Sequence, residues 1–147
     1  MKKTFQVRDL GLIEKELVDN YIGVLAVTLK NEKVVQAATT FLYLDKNIYI
    51  FFGNESEIYE DINLDINGSF IIIKNESLNE KDVISKYRLM SVSISGAVKK
   101  VEDQKLLDEL KKNYVKKYPE DNENLLILNK ALIIDTDEIL AFDEQVE

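Results

Sequence analysis

The sequence predicts a mainly β domain, an antiparallel barrel with helices at its periphery. Three observations carry that expectation. About six stretches of β-formers recur along the chain, mostly separated by short polar turns. Three helical stretches are inserted among them, none alternating with strands as in βαβ units. One proline and five glycines leave no linker-like tract, so residues 1–147 read as a single domain.

Leu10, Ile13, Leu17 and Tyr21 recur at helical spacing, which predicts a short amphipathic helix over Arg8–Asp19. Ile22–Leu29 is an apolar run rich in β-formers. Asn31-Glu32-Lys33 turns the chain into a second strand, Val34–Tyr43, and Asp45-Lys46-Asn47 turns it into a third, Ile48–Phe52. Short turns between the three predict an antiparallel meander. Asn54 with Glu57 three residues on fits a helix start of the capping-box type, and Ile58, Tyr59 and Ile62 give that helix an apolar face ending near Leu64. Asn67-Gly68 precedes Phe70-Ile71-Ile72-Ile73, which reads as a buried strand. Asn75–Lys86 is polar and reads as a surface loop.

Tyr87–Lys100 is a long strand in which Val92, Ile94 and Val98 share one face and Ser91, Ser93, Ser95 and Ala97 the other. Leu106, Leu107, Leu110, Tyr114 and Tyr118 define a helix from Asp103 to Tyr118, stopped by Pro119. Two β-like stretches, Ala131–Asp135 and Glu138–Phe142, close the chain.

A net charge of −8 argues against a partner held through phosphates, since gripping a nucleic-acid backbone takes clustered cations. The lysines between Lys99 and Lys117 are interspersed with Glu102, Asp103, Asp108 and Glu109, the pattern of a solvated face. The acidic balance would also be repelled by an anionic membrane, and no apolar run reaches the ~20 residues that span a bilayer. With no leader-like segment behind the first lysines, a cytoplasmic location is the expectation. The chain has no cysteine and no histidine. That removes thiolate chemistry, the commonest metal ligand and the Ser-His-Asp arrangement together, so no metal site is expected. Chemistry would come from a bound small molecule or from Asp, Glu, Lys or Tyr.

Particular stretches in this order resemble the flavin-binding split-barrel family related to pyridoxamine 5'-phosphate oxidase. Ile22-Gly23-Val24-Leu25-Ala26-Val27 resembles the opening strand, followed by Ala37-Ala38-Thr39-Thr40-Phe41-Leu42-Tyr43 and by Asp45-Lys46-Asn47-Ile48-Tyr49-Ile50-Phe51-Phe52. Ser91-Val92-Ser93-Ile94-Ser95-Gly96 with Val101-Glu102-Asp103 resembles the later strand and the acidic start of the next helix. The likeness runs from about Tyr21 to Tyr118. It implies a six-stranded antiparallel split barrel, a homodimer, and flavin mononucleotide (FMN) in the cleft between two subunits. Carried over to this chain, the ring edge would meet Ala38, Thr39 and Thr40, and the ribityl-phosphate Phe51, Phe52, Asn54 and Ser56. Adjacent strand residues face opposite sides, so only one of the two threonines can face such a cleft.

Two departures stand out. The family's phosphate grip has the form Ser-x-Lys or Ser-x-Arg, whereas this chain has Ser56-Glu57-Ile58. From Asn47 to Ile73 there is no Lys or Arg, while Glu55, Glu57, Glu60, Asp61 and Asp65 bring five acids. A phosphate there needs cations from elsewhere. Met90-Ser91-Val92-Ser93-Ile94-Ser95-Gly96 also lacks the polar residues of Arg-Gln-Val-Arg-Ile-Glu-Gly found in true pyridoxamine phosphate oxidases, so that activity is not expected. The expectation is an FMN-binding dimer, an oxidoreductase of unspecified substrate. Two alternatives stay open: a non-catalytic dimer that has lost its flavin, and a haem-binding relative whose axial ligand would have to be Tyr, Met or another group.

Overall fold

The structure is a computed structural model that describes residues 1–53, 56–77, 87–120 and 130–146. Its elements run β1 (Lys2–Val7), α1 (Leu10–Asp19), β2 (Ile22–Thr28), β3 (Val34–Thr40), β4 (Leu42–Leu44), β5 (Asn47–Phe52), α2 (Glu57–Asp61), β6 (Asn67–Ser77), β7 (Tyr87–Lys100), α3 (Gln104–Lys117) and β8 (Lys130–Val146). All strand pairings are antiparallel. They follow the order β3-β2-β6-β7-β8-β5-β4, with β1 beside β8.

That order contains its own closure. The sheet begins at β3 and ends at β4, yet those two strands are joined through the single residue Phe41. The sheet must therefore curl until its ends meet, which makes a half-barrel. The expected second strand is thus broken at Phe41, so the two antiparallel pairings expected of the meander form at opposite ends of the sheet. β3 pairs with β2, while β4 pairs with β5 through a turn in which Asp45 and Lys46 both have positive φ, 50° and 68°. This is the turn geometry that matches strand twist and fixes the β4–β5 register.

Interior side chains come from alternate positions: Leu25, Val27, Ile48, Ile50, Phe70, Ile72, Val92, Ile94, Val98, Leu132 and Ile134 are all buried in one cluster. Ile13 and Leu17 of α1 are buried in the same cluster. Gly23 is required because the Phe70 ring occupies the space a Cβ would take. The same ring lies 4.7 Å from that of Phe41.

Several expected elements take a different form. Phe70–Ile73 is not buried throughout: Ile73 points outward and is 53% exposed. The two closing stretches are one strand, β8, with a bulge. Ser95 pairs with Glu138 and Gly96 with Thr136, leaving Asp137 extra and shifting the in–out alternation by one. That phase slip is what makes the two halves look separate in sequence. α2 begins at Glu57 with Ser56 as its N-cap, not at Asn54, and ends at Asp61. β6 runs to Ser77, into the stretch expected to be loop. β1 has no counterpart in the sequence reading. Among the described residues, no helix is long and apolar enough to cross a membrane.

Candidate functional site

Of the predicted site residues, the outer face of the sheet brings together Ala38, Thr40 and Phe51. Cross-strand partners share a face, so Ile22 with Thr40 and Val24 with Ala38 place Ala38 and Thr40 outside, and Gly23 with Thr39 places Thr39 on the other side. Thr39 is part-buried and its hydroxyl donates to the Thr40 carbonyl at 3.2 Å. The Thr40 hydroxyl lies 3.0 Å from that of Tyr114 on α3. Phe51 meets the same Tyr114 ring edge-on at 5.5 Å between centroids. Thr40 and Phe51 are therefore joined through a residue from a third element.

α3 reaches this position because Leu107, Leu110 and Tyr114 pack on Leu42, Tyr49 and Ala131, the outward residues of β4, β5 and β8. Asp103 caps it by accepting from the Lys105 N–H at 2.9 Å, and Lys116 and Lys117 complement its C-terminal end. At that end Tyr118 pins the break in the barrel. Its hydroxyl accepts from the Phe41 N–H at 3.1 Å, and lies 2.9 Å from the Phe41 carbonyl and 2.6 Å from that of Tyr21. The backbone groups that Phe41 withdraws from the ladder are satisfied there.

Phe52 and Ser56 belong to a second group at the end of β5. Phe52 faces the interior and packs on Tyr59 at 5.4 Å. Ser56 is half-buried, and its side chain makes no capping bond. Asn54 lies outside the described residues. Here the fold supplies what the local sequence lacks. Lys130, opposite Phe52 in the β5–β8 register, and Lys100, at the end of β7, reach Glu60 at 3.3 and 3.4 Å. Their ammonium groups stand 5.4 and 4.8 Å from the Tyr59 ring centroid. Hydrogen bonds from Lys130 and Lys100 hold the Glu60 carboxyl below its usual range, and burial pushes the Tyr59 hydroxyl up.

Sequence reasoning missed Tyr114, Tyr118, Lys100 and Lys130 as site residues. The two tyrosines were visible only as part of a helical apolar stripe. Nothing in the spacing of the two lysines connects them to residue 56. Among the described residues, no group of three or more acids, histidines or cysteines could hold a metal ion.

No family model and no curated protein matches this sequence. Solved structures do match in shape. A candidate 5-nitroimidazole antibiotic resistance protein from Bacteroides thetaiotaomicron superposes with a TM-score of 0.76 at 16% identity, over 99% of this chain and 90% of its own. The fold is the split barrel. An FAD binding protein from Mycobacterium smegmatis gives 0.67 at 11% identity, over 95% and 98% of the two chains. A candidate pyridoxamine 5'-phosphate oxidase from Corynebacterium glutamicum gives 0.61 at 15% identity, over 98% and 95%. At these identities the likeness establishes the architecture.

Proposed function

We propose that this split barrel works as a homodimer holding a flavin, FMN, between the bare sheet faces of two subunits. The observation that carries this reading is the uncovered outer face of β3, β2, β6, β7 and β8. Along it lie Ala38 and Thr40, Ile22 and Val24, Ile71 and Ile73, Ser91 and Ser93, Leu140 and Phe142. Ile22, Ile73 and Phe142 are 62%, 53% and 39% exposed, an apolar surface that a second subunit would bury. The small serines of β7 leave room for a flat ring to approach.

A flavin would supply electron transfer, and the chain's own residues would position it and exclude water. Ala38 and Thr40 stand at the ring edge, with Thr40 held in orientation by Tyr114. Lys100 and Lys130 stand in for the cation absent at residue 58, and Ser56 offers an uncommitted hydroxyl for the phosphate. The fit depends on Glu60 giving up part of its hold on the lysines, which a doubly charged phosphate can induce. An oxidoreductase role follows from the cofactor, and the substrate would be a small molecule admitted beside the ring.

The absorption spectrum of the freshly purified protein tests the cofactor directly. Flavin bands, or their appearance on adding FMN, are the expected result. Lys100→Gln with Lys130→Gln should then weaken flavin binding by about ten- to a hundredfold, the scale of one or two charge-assisted hydrogen bonds. No flavin bound even in excess overturns the reading in favour of the empty dimer, and a Soret band overturns it in favour of haem.

A further inference from the structure

Lys117 at the end of α3 has an unusual position that the flavin reading does not use. Its Nζ is buried and makes no hydrogen bond, although an ammonium carries three donors. It stands 3.8 Å from the centroid of the Phe41 ring and 5.6 Å from that of Tyr118. Ring faces offset part of the desolvation and leave the donors unused. Beside it, between α1, β4 and α3, is a cleft of about 330 Å³ lined by Val18, Leu42, Tyr43, Leu44, Asn113, Lys116 and Lys117. That is the size of a small-ligand pocket.

The chemistry of the lining is one-sided. Val18, Leu42 and Leu44 make an apolar wall, and Lys116, Lys117 and the Asn113 side chain bring cations and an amide. Of the acids on neighbouring elements, Glu14 is engaged by the Tyr43 hydroxyl at 2.8 Å and Asp19, whose charge reaches Lys117, is paired with Lys15 at 2.8 Å. A second cleft on the other side of Lys117 is lined by Tyr21, Tyr118, Pro119 and Glu120, and the acid there would repel an anion.

We propose that the cleft between α1, β4 and α3 binds a small apolar carboxylate, with Lys117 swinging from the Phe41 ring to pair with its charged end. The apolar body would lie on Val18, Leu42 and Leu44, and the carboxylate would accept the hydrogen bonds that Lys117 leaves unmade. Burial lowers the Lys117 pKa to about 8, as expected of an ammonium held without an acceptor. This site includes none of the residues assigned to the flavin and does not depend on that reading.

Titration calorimetry on the full chain, with benzoate and its neutral isostere benzamide as probes, tests the assignment. Benzoate should saturate one site per chain and bind at least about tenfold more tightly than benzamide, the scale of a charge-assisted hydrogen bond. Lys117→Met keeps the apolar stem and should abolish that difference. Asn113→Asp, a surface change on the same wall, should weaken benzoate and leave benzamide unchanged. Equal binding of the two probes, no saturable benzoate binding, or a preference that survives Lys117→Met overturns the proposal. Should Lys117→Met fail to fold, Asn113→Asp decides: unchanged benzoate affinity overturns the proposal, and selective loss supports it.

Discussion

The outer face of this half-barrel has two regions built from the same alternating strands and finished differently. Over β4, β5 and the start of β8 the outward residues are large, Leu42, Tyr49, Phe51 and Ile133, and α3 covers them with Leu107, Leu110 and Tyr114. Over β3, β2, β6, β7 and the end of β8 the outward residues are small or hydroxylated, Ala38, Thr40, Ser91 and Ser93, with Ile22, Ile73 and Phe142 left in the open. The covered region is finished within one chain. In the open region no element among the described residues buries Ile22, Ile73 or Phe142. Outward apolar residues thus serve intramolecular packing on one half of the sheet, and on the other they form the surface assigned above to the proposed dimer.

The largest expected effect lies in the covered region. Leu110 is fully buried beneath α3, and Leu110→Ala should cost about 2–5 kcal/mol of stability, read from a denaturant titration. A cost no greater than that of an exposed substitution would mean that α3 does not hold this face.

The open region should respond in the opposite way. Ile73→Glu with Phe142→Glu places charge on exposed positions, so the isolated fold should lose no more than about 0.5 kcal/mol per site. Light scattering should nevertheless show a dimer for the parent chain and a single-subunit mass for the variant. A variant that remains dimeric would move the interface off this face.

A pH dependence is expected at the edge between the two regions. Lys117 has a folded-state pKa of about 8 against 10.5 for the unconstrained side chain. Between those values the unfolded chain binds more protons than the folded one, so stability rises with pH across the window. Burial against the Phe41 ring causes the shift, and the charge of Asp19 on α1 opposes it. The melting temperature of the parent chain should therefore gain on that of Lys117→Met as pH rises from 7 to 10, and a constant difference would remove the unpaired ammonium from the account. The same residue shows the limit of reading a helix from its stripe. Lys116 and Lys117 are adjacent lysines with equal claim to solvent in the sequence, yet one is exposed and the other stands against Phe41.

Features that depend on local periodicity were legible in the sequence. The two-residue alternation of Val92, Ile94 and Val98 against Ser91, Ser93 and Ser95 survives unchanged as interior against exterior. The stripe of Leu107, Leu110 and Tyr114 survives as the contact of α3, and Asp103 and Pro119 bound that helix as expected. Capping, turn preference and alternation act over a few residues, so a few residues reveal them. Features that need two distant segments at once emerged only from the folded chain. The break at Phe41 exists because one strand must serve both ends of a closing sheet, and its backbone is satisfied by a tyrosine 77 residues away. The slip at Asp137 hid one strand as two. Lys100 and Lys130 reach Glu60 only because β7 and β8 end beside α2. Charge acts through space rather than along the chain, so the cations beside α2 became visible only once the barrel had closed.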